Sequence, residues 1–191
     1  YKAWLWNAQS LFHSKPSKHR KRKLHVLKLM HGKDFGLVSE THSSIGKETA
    51  CNEEMLTAGF RCFWSHGTSR RAGVCIIVRI SFLEKLSYAP PRKVEIIKGE
   101  ALKLELRGPE GSLDIFSVYL PTGAQACEEA TLFQKRVECR REIANHMAKP
   151  DHRLSLIGGD FNYVPSKDDR FTKATSQRSG ARDLRDQEDW A

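Results

Sequence analysis

Residues 154–162, with the sequence Leu-Ser-Leu-Ile-Gly-Gly-Asp-Phe-Asn, decide the fold assignment. Residues 154–157 form an apolar run of strand length. The two glycines that follow allow the backbone to turn tightly and leave room for a ligand close by. The stretch therefore predicts a strand that presents Asp160 and Asn162 at its end.

Polar side chains also follow two earlier apolar runs. Ala3–Asn7 ends in Asn7, and Phe35–Ser39 is followed directly by Glu40. Carboxylate and amide oxygens suit a hard cation such as Mg²⁺, which usually takes only one or two carboxylates together with phosphate oxygens of a substrate. Alone, Asn7 is better explained as a turn former, and Glu40 can equally be a solvated carboxylate. The three strand ends together predict a metal-binding or phosphate-binding site.

Strands outnumber helices in the rest of the pattern. We expect further strands at 61–65, 73–79, 93–97, 101–107 and 113–119, and helices at 17–30 and 128–148. Many of these strands follow one another without an intervening helix, which favours stacked sheets with helices outside over a simple alternating parallel sheet. Ser17 is expected to cap the first helix, with Leu24, Leu27 and Met30 facing the core. In 101–107 leucines alternate with charged residues, so one face of that strand is expected to be buried.

The composition excludes several classes of protein. The chain has 191 residues, of which 39% are hydrophobic, too many for a disordered chain, and its 13 Gly are too few for collagen. No apolar run approaches the roughly 18 residues of a membrane span, so we expect no membrane partner. A chain of this length fits one domain with a substantial core.

Excess positive charge is concentrated near the amino terminus. The chain has 32 Lys and Arg against 23 Asp and Glu, for a net charge of +9. Residues 15–28 contain seven basic residues and no acidic one, and the remainder is nearly neutral. We call these seven residues the basic cluster, and Lys21, Arg22 and Lys23 form its centre. The cluster can neutralise a nucleic-acid backbone, and a solvated helix face with extra lysines explains it equally well.

The five cysteines are odd in number and widely spread, and none forms a Cys-x-x-Cys pair. We therefore expect reduced thiols in an intracellular protein rather than a disulfide framework or a zinc site.

Five short motifs are informative as a set. They are Trp6-Asn7, Ser39-Glu40-Thr41-His42, Ala72-Gly73-Val74, Val118-Tyr119-Leu120-Pro121 and Gly159-Asp160-Phe161-Asn162. In identity, order and spacing, the set resembles the endonuclease/exonuclease/phosphatase superfamily. Glu-Thr-His, Arg-Ala-Gly-Val at 71–74 and Asp169-Arg170 are most similar to the endonucleases encoded by non-LTR retrotransposons.

The resemblance implies a fold and a reaction. The fold class is α/β (α+β), a four-layer α/β/β/α sandwich of two mixed β-sheets flanked by helices, with the active site at one end. The reaction is hydrolysis of a phosphodiester by an activated water, with Mg²⁺ or alternatively Mn²⁺ as cofactor. Nucleic acid, most naturally DNA, is the implied partner, and the nucleus is the implied location of a retrotransposon-encoded enzyme.

The resemblance also implies roles for individual residues. Glu40 is the principal metal ligand with Asn7 beside it, Tyr119 hydrogen-bonds the phosphate, Asp160 orients or deprotonates the attacking water, and Asn162 holds a phosphate oxygen. Such donors offset the charge that builds on the phosphate, while a carboxylate aligns the nucleophile. Thr122, which stands where the family often has Asn, is expected to contact nucleic acid. His42 either supports the metal ligand or is a surface histidine.

One departure from the family pattern affects the domain limits. The family ends in an Asp-His pair whose histidine serves the attacking water, and the late histidines here, His146 and His152, do not stand in such a pair. We therefore expect 1–191 to be an incomplete domain, with 166–191 as a polar tail leading into a missing part. We also expect fusion to further domains such as a reverse transcriptase, and no efficient nuclease activity from residues 1–191 alone.

Three functions remain open from the sequence. The first is a DNA endonuclease of retrotransposon type, the second is a phosphatase or phospholipase-like enzyme acting on small phosphoesters, and the third is a non-catalytic nucleic-acid-binding remnant. The net charge and the basic cluster favour nucleic acid, because an extended polyanion rewards distributed positive charge. The oligomeric state is open.

Overall fold

A computed structural model describes residues 1–12, 15–68, 72–109, 111–120, 130–147, 153–162, 171–172 and 177–178. The strands are β1 (Ala3–Asn7), β2 (Phe35–Ser39), β3 (Phe60–Ser65), β4 (Val74–Arg79), β5 (Ala89–Ile97), β6 (Ala101–Gly108), β7 (Gly111–Tyr119), β8 (Arg153–Asp160), β9 (Phe171–Thr172) and β10 (Gln177–Arg178). The helices are α1 (Pro16–Met30), α2 (Thr49–Thr57), α3 (Ile80–Lys85) and α4 (Ala130–His146). Thr122, and the tail at 166–191 apart from β9 and β10, lie outside the described residues.

Eight strands form two mixed sheets of four. The first sheet has the order β1-β2-β4-β3, in which β1 and β2 are parallel and the other pairs are antiparallel. The second has the order β5-β6-β7-β8, in which only β7 and β8 are parallel. The short strands β9 and β10 pair with each other in an antiparallel manner. Each large sheet thus carries one parallel pair at an edge.

The two sheets pack face to face around one apolar core. Leu37, Phe63 and Ile76 from the first sheet pack in one cluster with Leu104 and Ile115 from the second. Burying such side chains stabilises the fold by about 1.5–3 kcal/mol each. The leucines of β6 point into this core as the alternation predicted. On the charged face of β6, Lys103 is buried at 5% exposure, whereas Glu105 and Arg107 are partly exposed.

Helices cover the outer faces of both sheets. Val26 and Met30 of α1, and Met55 of α2, pack with Val38 and Ile77 on the outer face of the first sheet. On the outer face of the second sheet, α4 contributes Cys139 and Ile143, which pack against Phe116 and Val118. These layers confirm the predicted four-layer α/β/β/α sandwich.

The basic helix differs in detail from the prediction. It begins at Pro16 rather than Ser17, and no side chain caps it; proline suits the first helical turn because its missing N–H is not needed there. Leu24 is 50% exposed rather than facing the core, whereas Val26 and Met30 are buried. Positions 26 and 30 are four residues apart and share one helix face, while 24 lies on the other side.

Several predicted boundaries need correction, and two helices were missed. Strand β8 continues through Gly158 and Gly159 to Asp160, so the two glycines pair within the strand and do not form the expected tight turn. Helix α4 ends at His146, two residues earlier than predicted, and β5 begins at Ala89 because edge strands tolerate the prolines at 90 and 91. Helices α2 and α3 have only 9 and 6 residues, too few to show helical periodicity.

The described cysteines are free thiols. Burial raises the pKa of the Cys51 and Cys139 thiols to about 12, so both stay protonated and unreactive at neutral pH. None of the helices in the described part of the chain has the length and apolar character that a membrane crossing needs.

Candidate active site

The carboxyl ends of the two parallel strand pairs meet at one end of the sandwich. Asn7 lies opposite Ser39 in the first sheet, and Tyr119 lies opposite Asp160 in the second. The Asn7 side chain joins the sheets, because its Nδ2 donates to Oε1 of Glu40 at 2.8 Å and to Oδ2 of Asp160 at 2.6 Å. Three residues predicted from separate strand ends are therefore brought together, with Asn7 in contact with both of the others.

The loop after β2 holds Glu40 in an uncommon backbone conformation. Glu40 has a φ of 51° and His42 a φ of 52°, both in the left-handed region. Such residues cost on the order of 1–3 kcal/mol each, and they persist only when the surrounding structure fixes them. Thr41, between them, donates its N–H to the carbonyl of Gly73 at 2.9 Å.

Gly73 explains the Ala-Gly-Val motif physically. Its φ is 90°, and a Cβ built on it runs into Oγ1 of Thr41. Only glycine therefore allows β4 to begin directly beneath the Glu40 loop.

The loop after β8 positions Asp160 in a similar way. Oδ1 of Asp160 accepts the backbone N–H of Asn162 at 3.0 Å, and Asn162 has a left-handed φ of 47°. The Asn162 side-chain amide donates to the carbonyl of Leu120 at 2.6 Å, which binds the loop to the end of β7. Gly159 has a φ of 149°, and a Cβ there overlaps the carbonyl of Val118.

Arg136 is a contributor to the site that sequence reasoning missed. It comes from α4 and is only 3% exposed. Its guanidinium donates to the carbonyl of Asn162 at 3.1 Å and to that of Phe161 at 3.4 Å. Six acidic or basic residues in α4 resemble a solvated helix face in the sequence, so no signal distinguished this one.

His42 faces the Glu40 carboxylate, with 4.0 Å between Nε2 and Oε2. Burial lowers the pKa of His42; Glu40 opposes this shift and Arg22 reinforces it. The lowered pKa favours the neutral imidazole, which adds no charge beside the Glu40 carboxylate. Tyr119 is partly buried, packs against the core and lies beside Asp160 in the sheet.

The three residues at the centre of the basic cluster have different surroundings. Arg22 donates to the carbonyl of Ser10, in the loop that follows Asn7. Lys23 forms an ion pair with Glu54 of α2 at 2.6 Å. Lys21 is exposed to solvent. Of the three, Lys21 is placed to meet a ligand with least rearrangement, and Thr122 lies outside the described residues.

The donor atoms of the site determine which divalent cation it can hold. The carboxylates of Glu40 and Asp160 converge on Nδ2 of Asn7, while Oδ1 of Asn7, the amide atom able to bind a cation, accepts the N–H of Gln9 at 3.0 Å. Within the described ranges no group of three His, Cys, Asp or Glu side chains could form an all-protein cage. Structural zinc needs such a cage, whereas Mg²⁺ is usually bound by one or two carboxylates plus substrate phosphates. The donor set therefore fits Mg²⁺ or Mn²⁺. The cleft beside it, about 170 Å³, is lined by Asn7, Asp160 and their neighbours.

A larger cavity of about 520 Å³ lies at the opposite end of the sandwich. Phe82, Lys85 and Leu154 are among its lining residues, none of which is a carboxylate. It does not share the chemistry of the strand ends.

Comparison with solved structures identifies the class of fold. An AP endonuclease from Archaeoglobus fulgidus superposes with a TM-score of 0.69 at 14% identity, over 99% of this chain and 68% of that chain. A 3'-5' exonuclease from Neisseria meningitidis gives a TM-score of 0.58 at 17% identity, over 99% and 68%. TDP2 of D. rerio, complexed with single strand DNA product, gives 0.55 at 14% identity, over 85% and 61%. The chain has the fold of the endonuclease/exonuclease/phosphatase superfamily, as its motifs predicted.

Comparison of sequences supports a more limited statement than comparison of structures. No protein-family model matches the chain. The chain is 29% identical over 156 residues to the Transposon TX1 uncharacterized 149 kDa protein of Xenopus laevis, a match that covers 80% of this chain and 11% of that protein. This chain therefore spans about a tenth of the length of the transposon protein.

Proposed function

We propose that the chain is part of the catalytic domain of a Mg²⁺-dependent phosphodiesterase that cleaves DNA, an endonuclease of retrotransposon type. The observation that carries the proposal is the Asn7 side chain, which joins Glu40 of one sheet to Asp160 of the other. Solved nucleases of the same fold and a distant transposon relative support it. Fusion to domains such as a reverse transcriptase and a nuclear location are part of the same proposal.

Glu40, with Asn7 beside it, would hold the Mg²⁺ or Mn²⁺ ion. When bound, the ion supplies positive charge that stabilises the negative charge developing on the phosphate. Asp160 orients the attacking water and accepts its proton as the water oxygen bonds to phosphorus and the bridging P–O bond breaks. Its two oxygens are already fixed by Asn7 and by the N–H of Asn162, so little reorganisation is needed.

Tyr119 and Asn162 lie beside Asp160, on the side of the second sheet. In the proposed complex they contact phosphate oxygens, and Asn162 uses the amide hydrogen that does not bond to Leu120. Exposed residues of the basic cluster, with Lys21 as the clearest example, bind the DNA backbone outside the reacting phosphate.

The experiment is nicking of supercoiled plasmid in Mg²⁺, by residues 1–191 and by a form extended beyond residue 191. Residues 1–191 alone should nick inefficiently. In the extended form, Glu40→Gln and Asp160→Asn should each lower kcat on the order of 10²-fold or more, because they remove groups that act mainly in the transition state. Glu53→Gln, an exposed carboxylate of α2, is the matched control and should keep full activity. Turnover of both site variants at the wild-type rate contradicts the assignment.

The same preparation distinguishes the two other functions. Hydrolysis of inositol phosphates or sphingomyelin without DNA nicking would indicate an enzyme of small phosphoesters. Salt-dependent DNA binding without hydrolysis of any of these would indicate a binding remnant.

A further inference from the structure

A buried chain of polar side chains lies directly behind the Glu40 loop. Oγ1 of Thr41 donates to Oγ of Ser43 at 3.0 Å, and both residues are fully buried. Oγ of Ser43 lies 3.0 Å from Nδ1 of His66, at the end of β3. Nε2 of His66 lies 3.5 Å from Oε1 of Glu48, the residue before α2. The Glu40 loop, the start of α2 and the end of β3 are thus joined through one imidazole.

The hydrogen-bond pattern assigns the proton positions on Thr41, Ser43 and His66. Ser43 Oγ accepts from Thr41, so its own hydrogen points to Nδ1 of His66. The ring then carries its hydrogen on Nε2, which faces the Glu48 carboxylate. Thr41, Ser43 and His66 each donate one hydrogen, and the series ends at the Glu48 carboxylate.

The connectivity resembles a Ser-His-acid triad, but Ser43 cannot be a nucleophile. Its exposure is 0%, so no substrate reaches its hydroxyl. The hydrogen-bonded side chains can instead stabilise the conformation of the Glu40 loop. The ring of His66 stacks on Trp64, with centroids 6.4 Å apart and planes at 9°, and Trp64 is tied to Asn52 of α2 at 2.7 Å.

These hydrogen-bonded side chains restrain the Glu40 loop, whose backbone is strained. Glu40 and His42 both have left-handed backbones, and Thr41 lies between them. Gly73 fixes the main chain of Thr41, and the Ser43–His66 contact fixes the side-chain half of the same loop. Strained residues relax when such restraints are removed.

We propose that His66 is a positioning residue for Glu40, and that through Ser43 and Thr41 it sets the affinity of the site for a divalent cation. The inference rests on the proposed function, because Glu40 must be a metal ligand. Partners that orient metal ligands typically change metal affinity by about 10–100-fold, and His66 acts through two intermediates, so about tenfold weaker binding is expected on its loss.

The test is calorimetric titration of residues 1–191 with Mn²⁺. His66→Leu, which loses both contacts, should bind Mn²⁺ about tenfold more weakly. His66→Asn, whose amide can take the place of Nδ1 beside Ser43, should recover most of the affinity. Ser43→Ala breaks the same contact from the other side, so the double variant with His66→Leu should lose no more than either single variant.

A second readout needs no metal. Hydrogen exchange of the Thr41 and His42 amides should accelerate in His66→Leu while the amides of β4 keep their protection. If His66→Leu does not fold, Ser43→Ala is read in its place.

Glu40→Gln distinguishes a failure of the positioning role of His66 from a failure of the proposed function. If it abolishes Mn²⁺ binding while the His66 and Ser43 variants bind and exchange like wild type, the positioning role is wrong and the proposed function stands. If wild type shows no Mn²⁺ binding that depends on Glu40, the proposed function and the positioning role both fail.

Discussion

Gly73→Ala tests whether the contact between β4 and the Glu40 loop stabilises the protein. A left-handed backbone costs a residue with a Cβ about 1–2 kcal/mol. The new methyl also overlaps Oγ1 of Thr41, and such overpacking costs about 1–3 kcal/mol. We therefore expect a loss of about 2–5 kcal/mol in the free energy of unfolding. Because each kcal/mol shifts Tm by about 2–4 °C in a chain of this size, the melting point should fall visibly.

Gly46→Ala is the matched control for this experiment. Gly46 has a φ of 91°, almost that of Gly73, but a Cβ there meets nothing within 4 Å. It should lose only the backbone part, about 1–2 kcal/mol, and urea unfolding of both variants measures the difference. Equal losses in the two variants would refute the argument that crowding against Thr41 makes glycine necessary.

Two further predictions concern charge. Lys21→Ala should reduce the slope of log DNA affinity against log salt by about one. Lys23→Ala should change the slope less, because the ammonium of Lys23 is held by an acidic residue of α2. Fluorescence anisotropy with duplex DNA measures both slopes, and an unchanged slope for Lys21→Ala would mean that the basic cluster is only a solvated helix face. Arg92, the main cause, and other cations lower the pKa of Glu105 from 4.5 to about 2, so its stabilisation is complete above pH 4.5 and is lost as the pH falls towards 2. The Tm difference between wild type and Glu105→Gln should therefore shrink over that range, and a constant difference would contradict the linkage.

The strand ends of the site were predictable because their signal is local. Asn7, Glu40 and Asp160 each follow an apolar run, and parallel strands bring their carboxyl ends to one edge of a sheet. The order of the runs favoured stacked sheets with helices outside, and the motifs then predicted the particular four-layer sandwich.

The supports of the site were not predictable, because their partners are far apart in sequence. Arg136 contacts carbonyls about 25 residues later, and His66 contacts Ser43 and the start of α2. A buried arginine in a highly charged helix looks like any solvated one until its neighbours are known. The ion pair of Lys23 spans 31 residues and escaped prediction for the same reason.

The Asn7 bridge between the two sheets has a thermodynamic consequence for the whole domain. A ligand held by Glu40 and Asp160 contacts both sheets, so it binds only while the sheets remain packed together. Its binding free energy therefore adds to the cooperative unfolding free energy, by about 2.7 kcal/mol at a ligand concentration of 100 Kd. At about 2–4 °C per kcal/mol, this is a rise of about 5–10 °C in the melting point, large enough to rank metals, nucleotides and inhibitors by thermal shift.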